Sequence, residues 1–263
     1  MATRRRRFDI ALLTLPAIAM GAGFLPSRPT KRALGFAYPD PTPLTAYTSH
    51  VIHLDAGHLG GNLIAYGLLA GTFYALCHSA THKPFWRTFT SAYLLAFPPT
   101  LAALNLAVRR EAISVGFSGM NTALLGALPV GLALLLADRT DFPLRDAPAL
   151  FVPGLWAIVL AGLPQTRWTT LAIAGVVVLT LLYGGALWRH RPRPVRVRLT
   201  GLLRDRTLGN ASAVVLVVLL VYPLVVFSAG VDADGAVPNH YVHLLGYALG
   251  FLVAFSAAVL LES

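Results

Sequence analysis

Four side chains in this sequence are of the types that break acyl bonds: Ser118, His243, His58 and Asn62. A serine hydroxyl is a weak nucleophile until a base within about 3 Å takes its proton, and imidazole suits that exchange near neutral pH. His58 and Asn62 stand four residues apart, which stacks them on one face of a helix. Ser118 lies between glycines, in Gly116, Phe117, Ser118, Gly119, and His243 opens a run in which Gly246, Gly250, Ala254 and Ala258 recur every fourth residue. Gly119, Ala123 and Ala127 make a matching ladder after the serine. Such ladders let two helix backbones approach closely, which a serine–histidine pair requires. Each piece alone also has a plainer reading: a serine among glycines packs, and a histidine–asparagine pair clamps two helices by a hydrogen bond.

The elements that must carry these residues follow from composition. Of 263 residues, 56% are apolar and 12% charged, too apolar for a single core faced by water. The bilayer is therefore the expected solvent. A hydrocarbon layer of about 30 Å needs roughly 20 apolar residues of helix, and eight stretches qualify: 8–25, 58–77, 88–107, 118–136, 148–163, 168–188, 209–229 and 240–261. The first is read as a membrane helix rather than a signal peptide, because no clear cleavage site follows it. The fifth is short and holds Pro153 and Gly154, so a kinked or partly inserted helix is expected there. The expected architecture is an all-α polytopic membrane helix bundle of about eight spans, a single domain over 1–263.

Alternating the spans from a cytoplasmic N-terminus puts fifteen of the twenty-one lysines and arginines inside, the asymmetry that fixes orientation in membranes. Within the net charge of +10, the Arg-Pro tract from Arg189 to Arg198 reads as a topological anchor on anionic lipid rather than a nucleic-acid arm. With this topology the helices opened by His58, Ser118 and His243 all enter from the outside, so their polar groups share one depth. Polar groups inside a membrane are costly and mark function by default. His50, His53, Asp55, Asn121, Asn239 and His240 would join them in a wet cavity. No His-Glu-x-x-His or comparable ligand set is present, so no metal is expected. His78 and His82 share a helical spacing on the inner side, where a solvated face is expected. Cys77 lies in an apolar run and allows no intrachain disulfide.

Taken together, His50 and His53 in the segment 48–53, His58 with Asn62, the Gly116–Gly119 segment, and His243 with Gly246 and Gly250 resemble the rhomboid family of intramembrane serine proteases. They match its HxxxN, GxSG and HxxGxxxG elements in the family's order. The resemblance implies a rhomboid-like core over 44–136 and 209–261, with additional helices inserted within 148–188. It implies Ser118 as nucleophile and His243 as base and then acid. His58, Asn62 and the backbone N–H of Ser118 would form the oxyanion hole, with Gly116 and Gly119 shaping it. It also implies a mobile cap over 229–239, membrane-protein substrates, no cofactor, and residence in the cell membrane. The sequence departs from the family at Thr122, where a tyrosine is usual, and at Val242, where alanine is usual. Two alternatives stay open: a rhomboid-like protein that binds membrane proteins without cutting them, and an unrelated small-solute transporter. An internal repeat, which a transporter often shows, is not seen.

Overall fold

Polar side chains cap the starts of three of the long helices. The computed structural model describes residues 2–80, 82–108, 111–140, 142–162, 171, 205–227 and 239–262. It is mostly helical: α1 (Ala2–Phe24), α2 (Arg28–Ala33), α3 (Pro43–Thr48), α4 (Ala56–Ser79), α5 (Lys83–Asn105), α6 (Ser118–Arg139), α7 (Pro148–Gly162), α8 (Arg206–Phe227) and α9 (His240–Glu262). The Asp55 carboxylate accepts from His58 N at 2.7 Å and starts α4. Asp205 Oδ1 takes the backbone N–H groups of Thr207 and Leu208 at the start of α8. Asn239 Oδ1 takes Val242 N at the start of α9. Each side-chain oxygen satisfies a donor that the first turn of a helix leaves without an internal partner.

Among the described residues, six helical stretches are long and apolar enough to cross a membrane: Arg6–Phe24, Ala56–Ser79, Ser118–Arg139, Leu144–Gly162, Arg206–Leu224 and His240–Leu261. Their starts fall within a few residues of the expected spans. Six of the eight expected spans are therefore met among the described residues. The stretch expected at 88–107 is a helix of sufficient length, α5, but Thr90, Ser91, Tyr93, Pro98, Pro99 and Thr100 dilute its apolar character and keep it out of the six. The stretch expected at 168–188 lies outside the described residues, as does most of the expected cap at 229–239.

Helix α6 is the axis. Of its apolar stretch 94% is buried, against 22 to 39% in the other five. It packs chiefly on α9 and α4, with α8, α7 and α5 completing the ring. The outer helices turn large apolar side chains outward, among them Ile64, Leu95, Leu252 and Leu260, each more than half exposed. A belt of that kind is a liability in water and the normal surface in lipid. Pro153 and Gly154 do not break α7. Gly154 instead makes room for the ring of Tyr247 from α9, whose hydroxyl donates to Phe151 O at 2.7 Å and whose ring stacks on Phe151.

The ion pairs and His–carboxylate contacts seen among the described residues lie at one end of the bundle. There the Arg87 guanidinium of α5 donates to both oxygens of Asp9 of α1, at 2.6 and 2.9 Å. His82 meets Asp138 at 3.2 Å and Arg139 meets Asp205 at 3.2 Å. The opposite end is built from the 25–55 segment, which carries α2 and α3. Its short strand β1 (Phe36–Ala37) pairs antiparallel with β2 (Ile113–Ser114), just ahead of α6. Pro98 and Pro99 lack the N–H groups that would bond the carbonyls one turn back in α5. The Tyr47 hydroxyl donates to one of these, Leu95 O.

Candidate active site

The site lies at the end bearing β1 and β2, where α4, α6 and α9 begin. Gly116 is the last sharp bend before α6. Its φ of +113° is a conformation that L side chains rarely adopt, which only glycine takes without strain. Its backbone N–H donates to Ser49 O at 2.9 Å, tying the bend to the segment that follows α3. A Cβ added there would lie 2.6 Å from the His58 ring. The missing side chain is what lets His58 sit against the backbone leading into the serine.

Two residues later α6 begins at Ser118. Ser118 Oγ and His243 Nε2 are 2.9 Å apart. The serine is half-buried, while His243 is buried in the first turn of α9. With the ring proton on Nδ1, Nε2 is the acceptor and the hydroxyl donates to it. This hydrogen bond is the first half of the proton transfer that activates a serine.

The small residues account for the proximity. A methyl placed on Gly246 would strike Gly119 O and the Thr122 hydroxyl, and one on Gly250 would strike Ala123 O. Gly126 of α6 in turn receives the backbone of α9 at Tyr247. Ala254 and Ala258 continue the contact, both buried. The two helices therefore run side by side from the same end with their backbones touching. Thr122 Oγ1 donates to Gly119 O at 2.9 Å and faces Gly246, so Thr122 is part of the helix contact. Val242 packs over Gly119.

Asn62 lies one turn along α4 from His58. Its Nδ2 donates to His58 O at 3.1 Å, and its Oδ1 accepts from Asn121 Nδ2 at 3.1 Å. Ser118, His243, His58, Asn62, Gly116 and Gly119 are thus brought to one end of one bundle, and Gly246 with Gly250 sets the spacing.

Two other polar residues expected in the cavity, Asp55 and His50, have structural partners. Asp55 is the N-cap of α4. His50 is buried, with Nε2 donating to Pro98 O at 3.0 Å, and burial lowers its pKa to about 4. His53 is wholly buried against the edge of the His58 ring; burial, and then the neighbouring His58, lowers its pKa to about 4. His240 lies 6.3 Å, ring to ring, from His243. Among the described residues no three His, Cys, Asp or Glu side chains converge as a metal set. At the far end, His78 is part-buried beside Asp9, with Nδ1 donating to Tyr74 O, rather than standing on a solvated face.

Sequence reasoning missed a second network. Asn239 Nδ2 donates to the Tyr38 hydroxyl at 3.0 Å and to Asn105 Oδ1 at 3.1 Å, while Asn105 Nδ2 donates to the same hydroxyl at 2.6 Å. It joins the start of α9 to the end of α5 and to β1. A buried asparagine closing an apolar helix was the available signal, but partners 67 and 134 residues away leave no spacing to read. No protein-family model, no curated protein and no solved structure matches the chain.

Proposed function

We propose that this chain is an intramembrane serine endopeptidase of rhomboid type that cleaves membrane segments of other proteins through Ser118 and His243. The observation that carries the reading is the 2.9 Å hydrogen bond between Ser118 Oγ and His243 Nε2, placed where two apolar helices touch backbone to backbone. A packing serine has no need of a buried imidazole at its oxygen.

In the proposed reaction His243 takes the hydroxyl proton as Ser118 Oγ attacks the scissile carbonyl. The imidazolium then protonates the leaving amine and an acyl-enzyme remains. Water, deprotonated by His243, releases the acid and restores the serine. The oxyanion formed at each addition sits by the first turn of α6, whose leading N–H groups have no carbonyl one turn earlier to bond and form the positive end of the helix dipole. Asn62 and His58 are the side-chain donors beside it. One such donor is typically worth about 2.7 to 4 kcal/mol of barrier.

The charge distribution supports a cytoplasmic location for the end carrying Asp9, Arg87 and Arg139, and hence an outward-facing site in the cell membrane. Substrates are then membrane segments that unwind near their outer end, since the carbonyls of an intact helix are already bonded. The test is labelling of the purified protein with a fluorophosphonate probe, alongside cleavage of a model single-span substrate. Wild type should label and cleave, and Ser118→Ala and His243→Ala should do neither while remaining folded in detergent. Cleavage by Ser118→Ala at the wild-type rate would sink the proposal. A folded wild type that neither labels nor cleaves would favour a binding protein or transporter.

A further inference from the structure

Asn121 follows Ser118 by three residues on α6, is wholly buried, and takes no part in the Ser118–His243 hydrogen bond. Its amide nitrogen is committed to α4: Nδ2 donates to Asn62 O and to Asn62 Oδ1, each at 3.1 Å. Its own Oδ1 meets no donor among the described residues. These contacts fix which way round two amides sit. Turning Asn121 over would set its oxygen against two acceptors. Asn62, accepting at Oδ1, must hold its NH2 away from Asn121, where one N–H donates to His58 O and the other is uncommitted among the described residues.

An amide that is free to turn presents either an oxygen or an NH2 to its surroundings, and only the NH2 stabilises a developing oxyanion. An apolar side chain of similar size at 121 would pack α6 on α4 without a stranded acceptor, and a buried unsatisfied group costs about 1–3 kcal/mol. What the amide adds is orientation. We infer that Asn121 is a positioning residue, which locks the Asn62 amide with its NH2 available as an oxyanion donor. This rests on the proteolytic reading of the Ser118 site and extends it to a residue outside the three motifs.

The experiment measures kcat and KM for a model single-span substrate, together with thermal unfolding in detergent, for Asn121→Leu and Asn121→Ala. Each is made in the wild-type and Asn62→Ala backgrounds. Mispositioning of a donor should lower kcat about 10- to 100-fold with KM nearly unchanged. In the Asn62→Ala background the same substitutions should cost no further kcat, because the amide they orient is gone. Unchanged kcat, an equal loss in both backgrounds, or failure of both variants to fold would each overturn the inference. The two readings fail separately. Cleavage by Ser118→Ala removes the protease itself, whereas an inactive Ser118→Ala beside fully active Asn121 variants removes only the positioning role.

Discussion

Ser118 and His243 are 125 residues apart in the chain and 2.9 Å apart in space, and the distance is held by what lies below them rather than by the pair itself. Gly119 and Ala123 of α6 offer their carbonyls to the bare α-carbons of Gly246 and Gly250. Moving α9 outward by the width of one methyl would leave the imidazole out of hydrogen-bond range.

Gly250→Val is therefore expected to reduce substrate cleavage and fluorophosphonate labelling together, although position 250 lies two turns from the histidine. Overpacking of this kind costs about 1–3 kcal/mol, so the melting temperature in detergent should fall as well. Gly67→Ala and Gly71→Ala serve as controls, since an added Cβ meets nothing within 4 Å at either site and alanine favours helix. Full labelling by Gly250→Val would show that the ladder does not set the pair.

Gly116→Ala combines two faults, a φ of +113° and a Cβ 2.6 Å from the His58 ring. The backbone fault alone costs about 1–3 kcal/mol for a residue bearing a Cβ. The expected outcome is a lower melting temperature and lost cleavage. Adding His58→Ala should recover part of the stability by removing the collision, but not the activity. Complete recovery of stability in the double variant would show that backbone conformation at 116 is unimportant.

The parts of this arrangement that were legible in the sequence are those governed by local rules. Apolar runs of membrane length marked α1, α4, α6, α8 and α9, and fourfold spacing of small residues marked the contact between α6 and α9. Spacing could not rank the polar residues near the site. His50, Asp55 and His58 look alike as members of a cavity, yet one bonds a carbonyl of α5, one caps α4 and one lies against Gly116. These differences arise from partners brought in by the fold. The sequence pattern also gave no sign that Asn121 reaches back to Asn62, 59 residues earlier.

Asp9 and Arg87 join α1 to α5 at the end away from the site, with the carboxylate side chain 7% exposed and the guanidinium 21%. Removing one partner strands the other charge, which costs up to about 3–5 kcal/mol when the pair is buried. Asp9→Ala should therefore lower the melting temperature in detergent more than Asp9→Ala/Arg87→Ala does. Fluorophosphonate labelling of Ser118 below the unfolding temperature should be unchanged in both. An equal or larger loss in the double variant would mean that the residues stabilise the helices separately.

His50 makes stability depend on pH in a definite direction. Its ring is buried with Nε2–H donated to Pro98 O, and burial lowers its pKa from 6.5 to about 4. The unfolded chain therefore binds a proton at this residue in a range where the folded chain does not. Stability from this group is full above about pH 6.5 and is lost as the pH falls towards about 4, below which both states are protonated and the loss levels off. Within that window each unit costs up to about 1.4 kcal/mol. His50→Gln retains an N–H donor and does not titrate there, so its melting temperature should fall less between pH 7 and pH 5 than that of wild type. His53 shares the same direction of shift, and the variant should keep the part of the slope that His53 supplies. A slope in His50→Gln identical to that of wild type would show that His50 is not the titrating group.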